Sequence, residues 1–234
     1  MHIYRPQQPL VCTLPQQPQA ASARAAAYDS VTGAYTTDDD TLSRLAAAAV
    51  KRQQYCEALD LLNQLVERHP QRAMYYSNRG LVYLWVGQPN AALADCDRAI
   101  SLNPDLDQAY NNRAMAHASL GDLAAALNDY ERAIDLNPFN SRARINLGIT
   151  LRQMGELERA LDCFDEALMF HQLPEFIYAE RGRTYHLRGD WNCAIADYHR
   201  TLTAANLKSG EQVQLLVERV KRWFSELLPQ QSWA

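Results

Sequence analysis

The sequence predicts an all-α fold, a solenoid of helix–turn–helix repeats closed by a C-terminal capping helix. Self-comparison at an offset of 34 residues carries that expectation. Ala58, Ala92, Ala126, Ala160 and Ala194 stand 34 apart, as do Gly87, Gly121, Gly155 and Gly189, and as do Pro70, Pro104 and Pro138. Between these marks apolar residues fall at helical spacing, for example Ala91–Ala92–Leu93, Cys96 and Ala99–Ile100.

Each column has a physical task. A small side chain at mid-helix lets two helices approach closely. A glycine that takes positive φ ends a helix at little cost, and a proline stops the next helix from continuing. The period divides the chain into repeats at 39–72, 73–106, 107–140, 141–174 and 175–208. Residues 1–37, rich in Pro, Gln and Ala, read as a disordered tail, and 229–234 as a flexible end. Asp38, Asp39 and Asp40 precede the first helix, where carboxylates cap it and complement its dipole.

A stacked array leaves an apolar face at its end, and residues 210–228 are expected to cover it as a capping helix. Val213, Leu216, Val217, Val220, Phe224, Leu227 and Leu228 share one face of that helix. The rival reading is a docking helix, because Trp223 lies beside the stripe.

The spacing and residues closely resemble the tetratricopeptide repeat (TPR) family. That family places an aromatic at repeat position 4, Gly or Ala at 8, Tyr at 11, Ala at 20, an aromatic at 24, Ala at 27 and Pro at 32. Repeat two has Tyr76, Gly80, Tyr83, Ala92, Cys96, Ala99 and Pro104 there; repeat three has Tyr110, Ala114, His117, Ala126, Tyr130, Ala133 and Pro138. Repeat one departs with Leu42, Ala46 and Ala49. Repeat four departs with Arg144 at position 4 and Gln172 in place of Pro, with Pro174 two residues later, so its junction is expected to be irregular. The resemblance implies a right-handed superhelix whose first helices line a concave groove, and a non-enzymatic protein-binding module, an adaptor or assembly factor.

Composition agrees. Hydrophobic residues at 47% supply a core, and a net charge of −4 lacks the basic excess of nucleic-acid binders. No apolar run is long enough to span a bilayer, and the N-terminus has no h-region of a secretory signal. The expected partner is a protein or peptide, with no nucleic acid and no membrane insertion; peripheral association with a membrane complex stays open. The expected state is a monomer in the cytosol, bacterial by the style of Asn78–Gly80 and Asn112–Ala114, with plastid stroma the alternative.

No catalytic constellation emerges. The glycines sit singly at repeat junctions, no HExxH is present, and the six histidines lack ligand spacing. Neither a metal nor a cofactor is expected. The five cysteines, Cys12, Cys56, Cys96, Cys163 and Cys193, form no CxxC pair and read as reduced thiols. Asp95, Asp97, Asp129, Asp165 and Asp197 recur with the architecture, which points to solvated faces and salt bridges.

The expected binding surface follows the first helix of each repeat. Positions 2, 5, 9 and 12 form one stripe, with 6 and 13 beside it. Asn78, Asn112 and Asn146 make a position-6 ladder able to pair with an extended peptide backbone; the alternative is that they bond the neighbouring helix. Leu81, Met115 and Ile149 form an apolar strip beside it, and Trp85 adds an aromatic. Arg142, Arg152 and Arg183 give the repeat-four and repeat-five end a preference for acidic segments. The carboxylate clamp of chaperone-binding relatives is not matched, since its places hold Ser77, Leu81, Asn112, Arg142 and Asn146. Two other readings are self-association through Trp85 or the C-terminal helix, and an enzyme of unrecognised chemistry.

Overall fold

The computed structural model describes residues 38–206 and 210–227, the last without the side chains of 211 and 212, and the short segments Tyr28–Asp29 and Ala34–Tyr35. Expectations for the rest of 1–37, for Leu228 and for 229–234 concern residues outside those described. Within the segment read as disordered, β1 (Tyr28–Asp29) pairs antiparallel with β2 (Ala34–Tyr35), Tyr28 opposite Tyr35.

The fold is all-α, and it divides into two compact units at Asp122/Leu123. The first unit holds α1 (Asp39–Lys51), α2 (Tyr55–Arg68), α3 (Ala73–Trp85), α4 (Pro89–Leu102) and α5 (Asp107–Leu120). Each helix packs on the next in sequence, and α3 also meets α5, so the first helices of repeats two and three are neighbours. Asp38 is the N-cap of α1: the Thr41 N–H donates to its carboxylate at 2.8 Å and the Thr41 hydroxyl at 2.7 Å. Asp39 turns instead to Arg68, the last residue of α2, and to His69, its C-cap.

Repeat one lacks the family's aromatics, yet it has a core. Leu42, Ala46 and Ala49 of α1 lie against Leu59, Leu61, Leu62 and Leu65 of α2 and Val82 and Val86 at the end of α3. Leucines on the second helix replace the missing ring volume. Further along, Ala73, Ala99, Leu106 and Ala109 form a second cluster.

The second unit holds α6 (Leu123–Leu136), α7 (Ser141–Gln153), α8 (Leu157–Leu168), α9 (Pro174–Arg188), α10 (Trp191–Asn206) and α11 (Glu211–Leu227). Here α7 meets α9, and α11 packs on both α9 and α10. The terminal helix thus stands where the first helix of another repeat would stand. Leu216 and Val220 are buried with Ala179, Ala194 and Tyr198, and Trp223, Phe224 and Leu227 pack around them.

The sequence columns have the expected environments. Ala58, Ala92, Ala126, Ala160 and Ala194 are fully buried, but each lies in the first turn of its second helix and not at mid-helix as expected, because close contact with the first helix is needed there. Gly87, Gly121, Gly155 and Gly189 have φ between 74° and 94°, a region where a Cβ clashes with the backbone. Gly148 answers a different need: a Cβ there would lie 2.8 Å from the buried Phe164 ring. The junction after repeat four is irregular, with His171 and Leu173 left-handed at φ 53° and 52° just before Pro174.

One expectation needs correction. Cys56 is disulfide-bonded, while Cys96, Cys163 and Cys193 are free. No other cysteine lies near Cys56 in sequence, so there was no local spacing to read. Burial raises the Cys163 thiol to about 11, so it is protonated at neutral pH.

Candidate functional site

Many polar side chains of the repeats are engaged in holding helices together. Arg79 donates to Asp95 of the second helix of its own repeat at 2.7 Å and to Asn63 of the preceding one at 2.9 Å. Arg113 reaches back to Asp97, and Arg181 bonds both Asp197 and Asp165. All occupy repeat position 7, and each partner lies 16 residues away. Tyrosines flank the guanidiniums, as Tyr76 and Tyr83 flank Arg79 and Tyr178 and Tyr185 flank Arg181. The recurrent carboxylates therefore pin second helices to first helices. Asp129, expected to be solvated, is buried.

Repeat four breaks this pattern in a coordinated way. Leu147 stands where the arginine would be and Cys163 where the aspartate would be. Arg144, in the aromatic place, lies 4.8 Å over the Phe170 ring and bonds Glu166 and the Pro138 carbonyl.

What remains open differs between the units. In the first, the exposed stripe of α3 is Met74, Asn78 and Trp85, with Leu81 half-buried between them. These are positions 2, 6, 13 and 9. Position 5 does not belong to the stripe: Ser77 and Asn111 are buried, as are Ile145 and Ala179 in the second unit. The reason is close packing of adjacent first helices, which encloses that position. On α5 Met115 is half-buried. Trp85 is 39% exposed and braced by Tyr55, their ring centroids 5.8 Å apart.

Asn112 is not available as a ladder member in this conformation. It is 5% exposed, and its amide donates to the Ser77 carbonyl at 3.1 Å and approaches the Ser77 hydroxyl at 3.2 Å. It bonds the neighbouring first helix, which was the alternative reading of the asparagine column. Asn78 is exposed and Asn146 half-buried.

In the second unit the arginines expected to meet a ligand are largely paired within the fold. Arg142 is exposed and Ile149 half-buried. Arg152 donates to Glu180, at 2.7 Å to the carboxylate and 2.9 Å to the carbonyl. Arg219 of α11 takes the other carboxylate oxygen at 2.7 Å. Burial pushes the Glu180 carboxyl up, but the two arginines outweigh it and hold it below its ordinary value. Arg183 donates to Glu226 at 2.6 Å. Trp223 lies beneath both cations, 5.3 Å from Arg183 and 4.9 Å from Arg219. Burial and the adjacent Arg183 lower the pKa of His186, which favours its neutral form.

Sequence reasoning missed Tyr55, Arg219 and Glu226 as parts of these surfaces. Tyr55 sits on a second helix. Arg219 and Glu226 lie beyond the periodic region, so no column pointed to them. Only Glu180, a carboxylate in a column of asparagines, signalled a change.

Among the described residues no helix is long and apolar enough to cross a membrane, and no three His, Cys, Asp or Glu side chains converge as metal ligands.

The fold and its open helical stripes define a helical-repeat protein built on paired helices. The chain belongs to the tetratricopeptide repeat family: models of that repeat match residues 40–72, 73–106, 108–140 and 129–162. Hsc70-interacting protein 1 of Drosophila melanogaster is 34% identical over 92 residues, 39% of this chain and 23% of its own length. WD and tetratricopeptide repeats protein 1 of Mus musculus is 40% identical over 68 residues, 28% of this chain and 10% of its own length. The chain thus spans a quarter or less of these relatives. Among solved structures, a thermophilic TPR protein of Thermus thermophilus matches with a TM-score of 0.71 at 21% identity, covering 80% of this chain and 100% of that one. PilF of Pseudomonas aeruginosa matches with a TM-score of 0.63 at 18% identity, covering 80% and 85%. At such identities the likeness concerns the fold.

Proposed function

We propose that the protein is a non-enzymatic interaction module, an adaptor or assembly factor, that holds an extended segment of a partner protein on the first helices of its first unit. One observation carries the reading: Met74, Asn78, Leu81 and Trp85 form an exposed or half-exposed stripe on α3, although the same helix engages Arg79 and Ser77 in packing. Apolar side chains alternating with a free amide suit a peptide with alternating side chains. Trp85, held by Tyr55, is a pre-ordered anchor of the kind that dominates interface energetics. Membership in a family of protein-interaction repeats supports the same reading.

The Hsc70 association named for the Drosophila relative is not carried over. The clamp positions hold Ser77, Leu81, Asn112, Arg142 and Asn146, and Asn112 and Ser77 are buried against each other. The clamp places that fall in the first unit, Ser77, Leu81 and Asn112, hold neither Lys nor Arg.

Selection of peptides from a random display library on the intact chain tests the proposal. Selected peptides should lose roughly 30-fold in affinity on Trp85→Ala, about 2 kcal/mol for an interface anchor, and lose binding on Leu81→Asp. Glu67→Lys, an exposed change on the second helix α2, should leave them unaffected. Peptides that bind Trp85→Ala and Leu81→Asp as tightly as the intact chain would remove the face from consideration.

A further inference from the structure

We propose a second, carboxylate-specific site in the second unit, centred on Arg183 and occupied in the free protein by the chain's own Glu226. It is independent of the face on the first unit. Three arginines converge around Trp223 and Glu180: Arg152 from α7, Arg183 from α9 and Arg219 from α11. Two carboxylates answer them. Glu180 has both oxygens engaged, one by Arg152 and one by Arg219, so Arg183 takes Glu226.

The two carboxylates hold their places very differently. Glu180 is enclosed in the middle of α9 and is part of the packing. Glu226 lies on α11 with its side chain 44% exposed. An ion pair open to water on one side is held weakly. Arg183, in contrast, is fixed: it is 22% exposed, lies over the Trp223 ring and contacts His186. The cluster carries three cations against two anions, and the Arg219 Nε–H is buried with no acceptor among the described residues. Donor capacity in the cluster therefore exceeds the acceptors that the described residues supply.

A firmly seated guanidinium facing a loosely seated carboxylate is a site in which an external carboxylate can replace the internal one. Its ligand is a carboxylate of an extended peptide, from an acidic side chain or a free C-terminus. Arg183 can engage either in charge-assisted hydrogen bonds, while Trp223 offers its rim to an adjoining apolar group. Glu226 then acts as a built-in competitor that sets the affinity for acidic partners.

Fluorescence anisotropy at low ionic strength tests this with two labelled probes, an octaglutamate amidated at its C-terminus and an octaglutamine with a free C-terminal carboxylate. Glu226→Gln should bind at least one probe roughly tenfold more tightly than the intact chain. Preference for the first assigns the site to side-chain carboxylates, and preference for the second to a terminal one. Adding Arg183→Met to Glu226→Gln should remove the gain. The proposal is overturned if Glu226→Gln keeps the helical circular-dichroism signal and melting point of the intact chain yet binds neither probe more tightly, or if the gain survives Arg183→Met. Should Glu226→Gln unseat α11, the intact chain decides: Arg183→Met must weaken its probe binding several-fold, and unchanged affinity overturns the proposal.

Discussion

Asn112 and Glu180 occupy the same repeat position, one in each unit, and both are buried. Asn112 uses a neutral amide to tie α5 to α3 through Ser77. Glu180 uses a full charge to tie α9 to α7 through Arg152 and to α11 through Arg219. Around Asn112 the first helices keep Met74, Asn78, Leu81 and Trp85 available at the surface. Around Glu180 the equivalent region is filled by ion pairs and by the terminal helix. One architecture thus leaves inner side chains open to the surface in the first unit and gives their equivalents internal partners in the second.

The sharpest way to break this comparison is to remove the charge. Glu180→Ala leaves Arg152 and Arg219 partly buried without their common partner, and should cost about 3–5 kcal/mol of stability, read by urea unfolding. A loss near zero would show that the cluster does not hold α11. Acid makes the same point more gently. The Glu180 carboxyl is held below its unfolded value, so its stabilisation is complete above the unfolded value of about 4.3 and fades as pH falls through the lower folded value. The stability gap between the intact chain and Glu180→Gln should therefore be constant near neutrality and narrow below about pH 4.

Next in size is close packing. In Gly148→Ala the added methyl meets the Phe164 ring, and overpacking of this kind costs about 1–3 kcal/mol, visible as a lowered melting point. Asn112→Ala removes one amide donor and should cost about 1–2 kcal/mol, since the Ser77 carbonyl loses a partner inside the packing. The difference between Asn112→Ala and Glu180→Ala measures how far the units differ in their internal cohesion. The smallest expected effect is on Trp85. Trp85→Ala should change stability by only about 1 kcal/mol, the worth of its contact with Tyr55, while weakening peptide binding roughly 30-fold.

The fold was legible because it is periodic. Five alanines and four glycines at a constant interval announce buried small-residue contacts and left-handed turns; the alanines are buried, though in the first turn of each second helix rather than at mid-helix, and the glycines have positive φ. Position 9 was legible too, since Leu81, Met115 and Ile149 are all half-buried on first helices. The stripe itself was one residue out, because the close approach of adjacent first helices encloses position 5. Partners across long separations were not legible. Arg219 meets Glu180 across 39 residues and Glu226 meets Arg183 across 43, both from a helix outside the repeat. Charge counted along α7 and α9, on Arg142, Arg152 and Arg183, suggested a surface for acidic ligands, but Arg152 pairs with Glu180 and Arg183 with Glu226 of α11. The Asn112–Ser77 bond was foreseeable only as an alternative, since an asparagine serves a neighbouring helix and a bound peptide with the same amide.

The most direct test of the difference between the units is a titration of the isotope-labelled intact chain with a display-selected peptide, followed by amide chemical shifts. The account predicts that the largest changes fall on α3 around Met74, Asn78, Leu81 and Trp85 and on α5 around Met115, with the second helices α2 and α4 little affected. Changes concentrated on α2 and α4, with the α3 stripe silent, would contradict it.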